Sequence, residues 1–194
     1  MNKFNRLISQ IEPIISLNEA EKAMLSEAFE FKTLHKNDCF LKEGEACDFI
    51  GFITTGALIY SKTIANGNEI TIDFAFENDW VTINESRLNN TPSEINIVAI
   101  EKTELLIIKQ SVLNNLYYEI PKIERLGRIL IEQSYLKLAH QSVALQLLTA
   151  KQRYESLLLN YPEIFQKVPL YHVANYLGIA PKSLSRIRTE IFNK

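Results

Sequence analysis

The stretch Leu170-Tyr171-His172-Val173-Ala174-Asn175-Tyr176-Leu177-Gly178-Ile179-Ala180-Pro181-Lys182-Ser183-Leu184-Ser185-Arg186-Ile187-Arg188-Thr189 has the spacing of two helices packed across a tight turn. Val173 and Leu177 give the first helix an apolar face. Ala174 puts a small side chain where the helices touch. Gly178, four residues on, supplies a position tolerant of positive φ. Ile179 plugs the core behind the turn. Leu184, Ile187 and Ile191 recur at three and four, so the second helix buries one face. Pro181 suits the first turn of that helix. Ala180 stands near the N-cap, where Ser or Thr would satisfy a backbone N–H. These positions predict a helix-turn-helix.

The second helix then turns Lys182, Ser185, Arg186, Thr189 and Asn193 away from its buried face. Two cations among hydrogen-bonding side chains suit the major groove of DNA. Arg186 is expected to read a base edge, with guanine the usual partner of its fork. Lys182 is placed for a base or a phosphate, and Ser183, Ser185 and Thr189 for bases or backbone. Arg188 falls nearer the buried side and is expected to reach a phosphate or a neighbour. The ordinary alternative is a helical hairpin with a solvated polar face, which does not require this many matched positions.

Charge agrees with this placement. The chain carries −2 overall, but residues 1–148 hold 14 Lys+Arg and 20 Asp+Glu, a net of −6. Residues 149–194 hold 7 and 3, a net of +4. A small basic unit on an acidic body is a weak sign of nucleic-acid binding.

Upstream of it, Leu126, Ile129, Gln133, Leu136, His140, Val143 and Leu147 alternate at three and four, a heptad seam of a helix that pairs with another helix. The polar members Gln133 and His140 favour a second copy over a dry core. Further upstream, residues 31–109 alternate short β-branched or apolar runs with turn signals, as in an antiparallel barrel or sandwich. The runs are 49–54, 57–64, 69–76, 95–100 and 104–109. Asn66-Gly67 predicts a tight hairpin between two of them, and Lys42 to Ala46 and Thr54-Thr55-Gly56 predict further turns. Residues 1–30 look helical, with Asn18 as N-cap and Glu21 completing a capping box. The division expected is 1–120, 121–148 and 149–194.

Composition narrows the function. Of 194 residues, 46% are hydrophobic and 23% charged, which argues against a disordered chain. No apolar run is long enough to span a membrane and none near the start resembles a secretory signal, so a cytoplasmic location is expected. Cys39 and Cys47 are too few for a disulfide scaffold or a four-Cys site. His35, His140 and His172 have no metal-ligand spacing, so no metal or other cofactor is expected. No triad order, phosphate loop or carboxylate pair stands out, so the chain is not expected to be an enzyme.

The whole layout resembles the Crp/Fnr family of bacterial transcription regulators. The residues that carry the resemblance are Lys42-Glu43-Gly44-Glu45-Ala46, Phe49 to Ile53, Thr55-Gly56-Ala57-Leu58, Leu177-Gly178-Ile179 and Leu184-Ser185-Arg186-Ile187-Arg188. It implies an α+β chain: an N-terminal antiparallel β-barrel of jelly-roll type, a long dimerisation helix and a C-terminal winged helix-turn-helix. Pro162 to Pro169 leaves room for only a brief hairpin as a wing element. The implied function is that of a homodimer binding palindromic double-stranded DNA, with the barrel sensing a small-molecule effector and RNA polymerase among the partners it allows. The other function class considered is a small-molecule sensor that docks on a protein and leaves DNA alone.

The sensor departs from the family pattern. Cyclic-AMP binders hold the phosphate with an Arg-Ser dipeptide and a Gly-Glu pair. Counting back from Ala99 puts Ser93 and Glu94 at the dipeptide, and the pair falls near Thr82 and Ile83. A phosphodiester needs cationic or N–H donors, so cyclic AMP is not expected to bind tightly and the effector stays open. The ligand-pocket candidates are Trp80, Thr82, Asn84, Glu85, Ser93 and Glu94. Glu85 could replace the ribose-binding Glu with a two-residue slip, and Arg87 is the one cation between Trp80 and Ile100. An iron–sulfur cluster would need four Cys.

Overall fold

A computed structural model describes residues 3–65, 67–162 and 164–192, with Phe192 described by its backbone alone. Two helices open the chain, α1 (Lys3–Ile11) and α2 (Glu19–Ala28). The capping box is in place at α2. Asn18 Oδ1 accepts from Glu21 N at 2.9 Å, and Glu21 Oε2 accepts from Asn18 N at 2.8 Å, so two orphan donors of the helix start are satisfied.

Eight strands follow: β1 (Glu30–Leu34), β2 (Cys39–Leu41), β3 (Phe49–Thr55), β4 (Leu58–Thr63), β5 (Glu69–Ala75), β6 (Trp80–Val81), β7 (Asn96–Ala99) and β8 (Thr103–Lys109). A short helix, α3 (Asn84–Asn89), separates β6 from β7. The strands form two antiparallel sheets, ordered β1-β8-β3-β6 and β2-β7-β4-β5. The expected barrel is therefore a two-sheet sandwich, and no strand ladder among the described residues closes one sheet onto the other. The reason lies at the corners, where the chain leaves one sheet for the other and the ladder stops.

The β3–β4 corner shows why it needs glycine. Gly56 has φ +101°, a region that side chains other than glycine rarely enter. A Cβ there would lie 2.5 Å from Thr103 Oγ1 and 2.6 Å from Lys102 O. Thr103 Oγ1 in turn accepts from Ala57 N at 3.1 Å, so the neighbour cannot retreat without breaking the corner. Gly56→Ala is expected to cost about 2–3 kcal/mol, through φ strain and overpacking. The urea midpoint of the variant measures it, and an unchanged midpoint would contradict this account of the corner. The predicted β4–β5 hairpin is present: Gly67 has φ +80° and Gly67 N donates to Ile64 O at 2.8 Å. Asn66, the other half of the predicted turn, lies outside the described residues.

Three apolar clusters hold the molecule. Between the sheets lie Phe40, Ile53, Leu58, Ala75, Val81, Ile97 and Leu105. On the outer face of the first sheet, Phe52, Leu106 and Ile108 meet Leu7, Ile11 and Leu25 of the N-terminal helices and Leu113, Leu116, Ile123 and Leu126 of α4 (Gln110–Glu119) and α5 (Lys122–Leu147). The third cluster covers the outer face of the second sheet, where Ile59, Phe74 and Phe76 pack against the C-terminal helices. These are α6 (Ala150–Asn160), α7 (Ile164–Lys167), α8 (Leu170–Tyr176) and α9 (Pro181–Phe192). The brief hairpin expected between Pro162 and Pro169 is instead the one-turn helix α7. No wing strand is present among the described residues, because Ile164 and Val168 are drawn into the apolar cluster. No helix among the described residues is long and apolar enough to cross a membrane.

Candidate nucleic-acid interface

The helix-turn-helix is built from α8, the turn Leu177-Gly178-Ile179-Ala180 and α9. Ile179 N donates to Ala174 O at 3.0 Å and Gly178 N to Asn175 O at 2.9 Å. With Gly178 at φ +67° this is a Schellman motif, which satisfies the last carbonyls of α8 and aims the chain into α9. Val173, Ala174, Leu177, Leu184 and Ile187 are buried together with Tyr154 and Ile164. Arg153 clamps the unit from α6: its Nη1 donates to Leu148 O and its Nη2 to Leu177 O, each at 2.8 Å. The guanidinium thus ties the end of α5 to the turn. Thr149 starts α6 with a capping box closed by Gln152.

On α9, Lys182, Ser185, Arg186 and Thr189 are exposed. The Arg186 side chain is 78% exposed and has only a loose contact with Glu190, at 4.0 Å. The Ser185 hydroxyl donates to Pro181 O and the Thr189 hydroxyl to Ser185 O, both at 3.1 Å, bonds that a groove contact can replace. Ser183 is half-buried. Arg188 turns inward: its guanidinium lies over the Phe165 ring, 5.7 Å from the centroid, which takes it off the exposed face. Asn193 lies outside the described residues. Four of the six expected contact residues therefore share one solvent face.

The seam positions divide along α5. Leu126 is buried within its own protomer and Ile129 is half-buried, so the first expected positions belong to the chain's own core. Gln133, Leu136, His140 and Val143 are exposed. A second exposed stripe runs beside them through Ile131, Tyr135, Leu138 and Leu145.

Sequence reasoning missed how firmly the C-terminal unit sits on the second sheet. Tyr176 packs on Phe74 with ring centroids 5.0 Å apart, and Tyr161 on Phe76 at 5.5 Å. Asn175 Nδ2 donates to Glu69 O at 2.9 Å, and Gln141 Nε2 donates to the Tyr176 hydroxyl at 2.7 Å. Lys137 pairs with Asp73 at 2.9 Å. Burial works against the Lys137 charge, but Asp73 and the Tyr161 hydroxyl outweigh it and raise its pKa. His172, almost fully buried, shares a 2.7 Å hydrogen bond between its Nδ1 and Thr71 Oγ1.

That histidine sets a pH dependence. Burial lowers its pKa, with the Glu69 carboxylate opposing, so the docked state holds the neutral ring. The unfolded chain protonates first as pH falls below about 6.5. Stability linked to His172 is therefore complete above that pH and is lost as pH falls through the lower folded-state value. The urea midpoint is expected to fall between pH 7.5 and pH 5.5, and His172→Gln to make that fall shallower. An equal fall in both proteins would contradict the assignment.

The six pocket candidates of the sensor stand in different settings. Trp80 packs on Phe52, with centroids 5.1 Å apart, on the helix-covered side of its sheet. Thr82 donates to Phe49 O at 2.8 Å. Asn84 Oδ1 accepts from Arg87 Nη2 at 2.8 Å, and Arg87 also donates to Gln110. Glu85 is exposed. Ser93 is buried, its hydroxyl donating to Ile95 O at 2.7 Å within its own turn. Glu94 is on the surface, paired with Lys62 at 2.9 Å, which lowers its pKa. Ile83 packs against the cluster between the sheets beside Phe49 and Tyr60.

Residues 31–119 match the model of the cyclic nucleotide-binding domain. FixK2 from Bradyrhizobium japonicum superposes with a TM-score of 0.74 at 16% identity, covering 85% of each chain. The chain is Crp/Fnr-like in its fold. A putative transcriptional regulator of the Crp/Fnr family from Eubacterium rectale superposes on the same architecture with a TM-score of 0.67 at 20% identity, covering 90% of this chain and 84% of that one. The Catabolite Activator Protein of Thermus thermophilus gives 0.53 at 18% identity, over 92% and 85%. No curated protein matches the sequence. These superpositions cover more of the chain than the matched domain does.

Proposed function

We propose that this chain is a homodimeric, sequence-specific DNA-binding transcription regulator. The observation that carries the reading is the exposed face of α9, where Lys182, Ser185, Arg186 and Thr189 stand free of the core on a helix fixed by the Schellman turn. The dimer rests on α5, whose distal half exposes Leu136, Val143 and Leu147; a second copy would bury them. Two recognition helices related by two-fold symmetry then meet half-sites one helical turn apart.

The sensor is not a cyclic-AMP site in this reading. Ser93 is spent on its own turn, Glu94 would set a carboxylate near the phosphate, and Ile83 stands at the Glu place of the pair, packed against the cluster between the sheets and without an acceptor for a ribose hydroxyl. Arg87 is committed to Asn84 and Gln110. The test is selection of duplexes from a random pool by the full-length protein at near-physiological salt, run beside a calorimetric titration with cyclic AMP. Enrichment of a palindrome and no saturable heat are expected. A folded dimer that enriches no sequence would overturn the DNA reading, and micromolar cyclic-AMP binding would overturn the sensor reading.

A further inference from the structure

A cleft of about 520 Å3 opens where the distal half of α5 meets α6, α8 and β5. It is apart from the sensor candidates and from the exposed face of α9. Its walls are apolar at Ile72, Ala144, Leu145 and Leu157. Its polar groups are Lys137, His140, Gln141, Arg153, Ser156, Asn160, Tyr161 and Tyr176, and among the described residues no carboxylate lines it.

The cations are unequally compensated. Lys137 has Asp73. Arg153 spends both terminal nitrogens on neutral backbone carbonyls, its Nε is buried without a hydrogen-bond partner, and no carboxylate pairs with it among the described residues. Carbonyls orient a guanidinium but do not cancel its charge. The cleft therefore joins a net positive charge, phenolic and amide hydrogen-bonding groups and an apolar wall, in a volume typical of small-molecule sites.

We infer that this cleft binds a small organic anion, a carboxylate or phosphate carried on an apolar or aromatic body. The anionic group would face Arg153 and the Tyr176 hydroxyl, and the body would lie on Leu145 and Leu157. Such a ligand touches the long helix, α6 and, through Leu177, the turn of the helix-turn-helix at once. It would bias how the C-terminal unit sits on α5. That regulatory consequence rests on the DNA-binding reading; the binding itself does not.

The test is a DNA-free NMR titration of the full-length protein with phenyl phosphate and with benzoate, using benzyl alcohol as the neutral control. Saturable shifts are expected with at least one anion and at least tenfold weaker binding of the alcohol. Which anion binds more tightly separates a phosphate from a carboxylate ligand. Ala144→Trp and Ser156→Trp fill the cleft from opposite walls without touching its charges, and each is expected to abolish the shifts in a folded protein. Three results would overturn the inference: no saturable binding of either anion, equal binding of the alcohol, or anion binding that survives both fillings.

Discussion

Arg186→Glu is expected to lower affinity for the selected duplex by about 100-fold or more while leaving the urea midpoint unchanged. A bidentate Arg–guanine contact contributes about 1–3 kcal/mol, and a dimer loses two of them. The substituted carboxylate then faces the phosphates of both strands. The fold is spared because the Arg186 side chain is largely exposed and touches Glu190 only loosely. Arg188 gives the contrast. Its guanidinium lies over Phe165, and burial raises the pKa of the neighbouring Tyr154, with Arg188 opposing. Arg188→Ala is accordingly expected to lower stability first, by about 0.5–2 kcal/mol. Equilibrium binding and urea titration of the two variants separate the roles. An Arg186→Glu protein that binds the duplex as the parent does would remove α9 from the interface.

The second large effect is expected on α5. Leu136→Glu with Val143→Glu is expected to turn the proposed dimer into a monomer at micromolar concentration and to reduce DNA affinity with it. Each parent side chain is 54% exposed in the protomer, so neither supports the monomer's own core. Covering the exposed half of an apolar side chain of this size contributes about 1 kcal/mol, and two-fold symmetry counts each position twice. Four carboxylates brought together add repulsion. Sedimentation velocity reads the change in mass, and circular dichroism reads the preserved helix content. A double variant that stays dimeric would move the interface to the neighbouring stripe of Ile131, Tyr135, Leu138 and Leu145.

The local signals in the sequence were strong where one residue type has a single structural use. Gly178 marked the turn of the helix-turn-helix, Asn18 with Glu21 marked the start of α2, and the apolar runs marked β3, β4, β5, β7 and β8. The strands without a reading were β1, β2 and β6. β1 is an edge strand exposed over four of its five residues and so carries no alternation. β2 and β6 are three and two residues long, too short to show a period.

Long-range partners were illegible for a different reason. Ile59, Phe74 and Phe76 look like ordinary strand residues. Nothing in their spacing says that the outer face of their sheet will be covered by α6 to α9 rather than by solvent. The same holds for Arg153, a surface cation by sequence that holds two carbonyls 29 residues apart in the chain, Leu148 and Leu177. Trp80 is among the pocket candidates, but an aromatic in a sheet is more often core, and here it packs on its strand neighbour Phe52 on the helix-covered face. The exposed face of α9 was legible because helical periodicity alone assigns it, once Leu184, Ile187 and Ile191 are assigned to the core.

The central claim is that two copies of this chain read DNA together, in a fixed phase. The measurement that tests it most directly is affinity for duplexes carrying two copies of the selected half-site, at centre-to-centre spacings of about 10 bp and about 15 bp. Tight binding of two protomers at the first spacing is expected, with a loss of about 100-fold when the second half-site is turned to the opposite face of the duplex. Equal affinity at both spacings, or binding of a single protomer to one half-site with undiminished affinity, would contradict it.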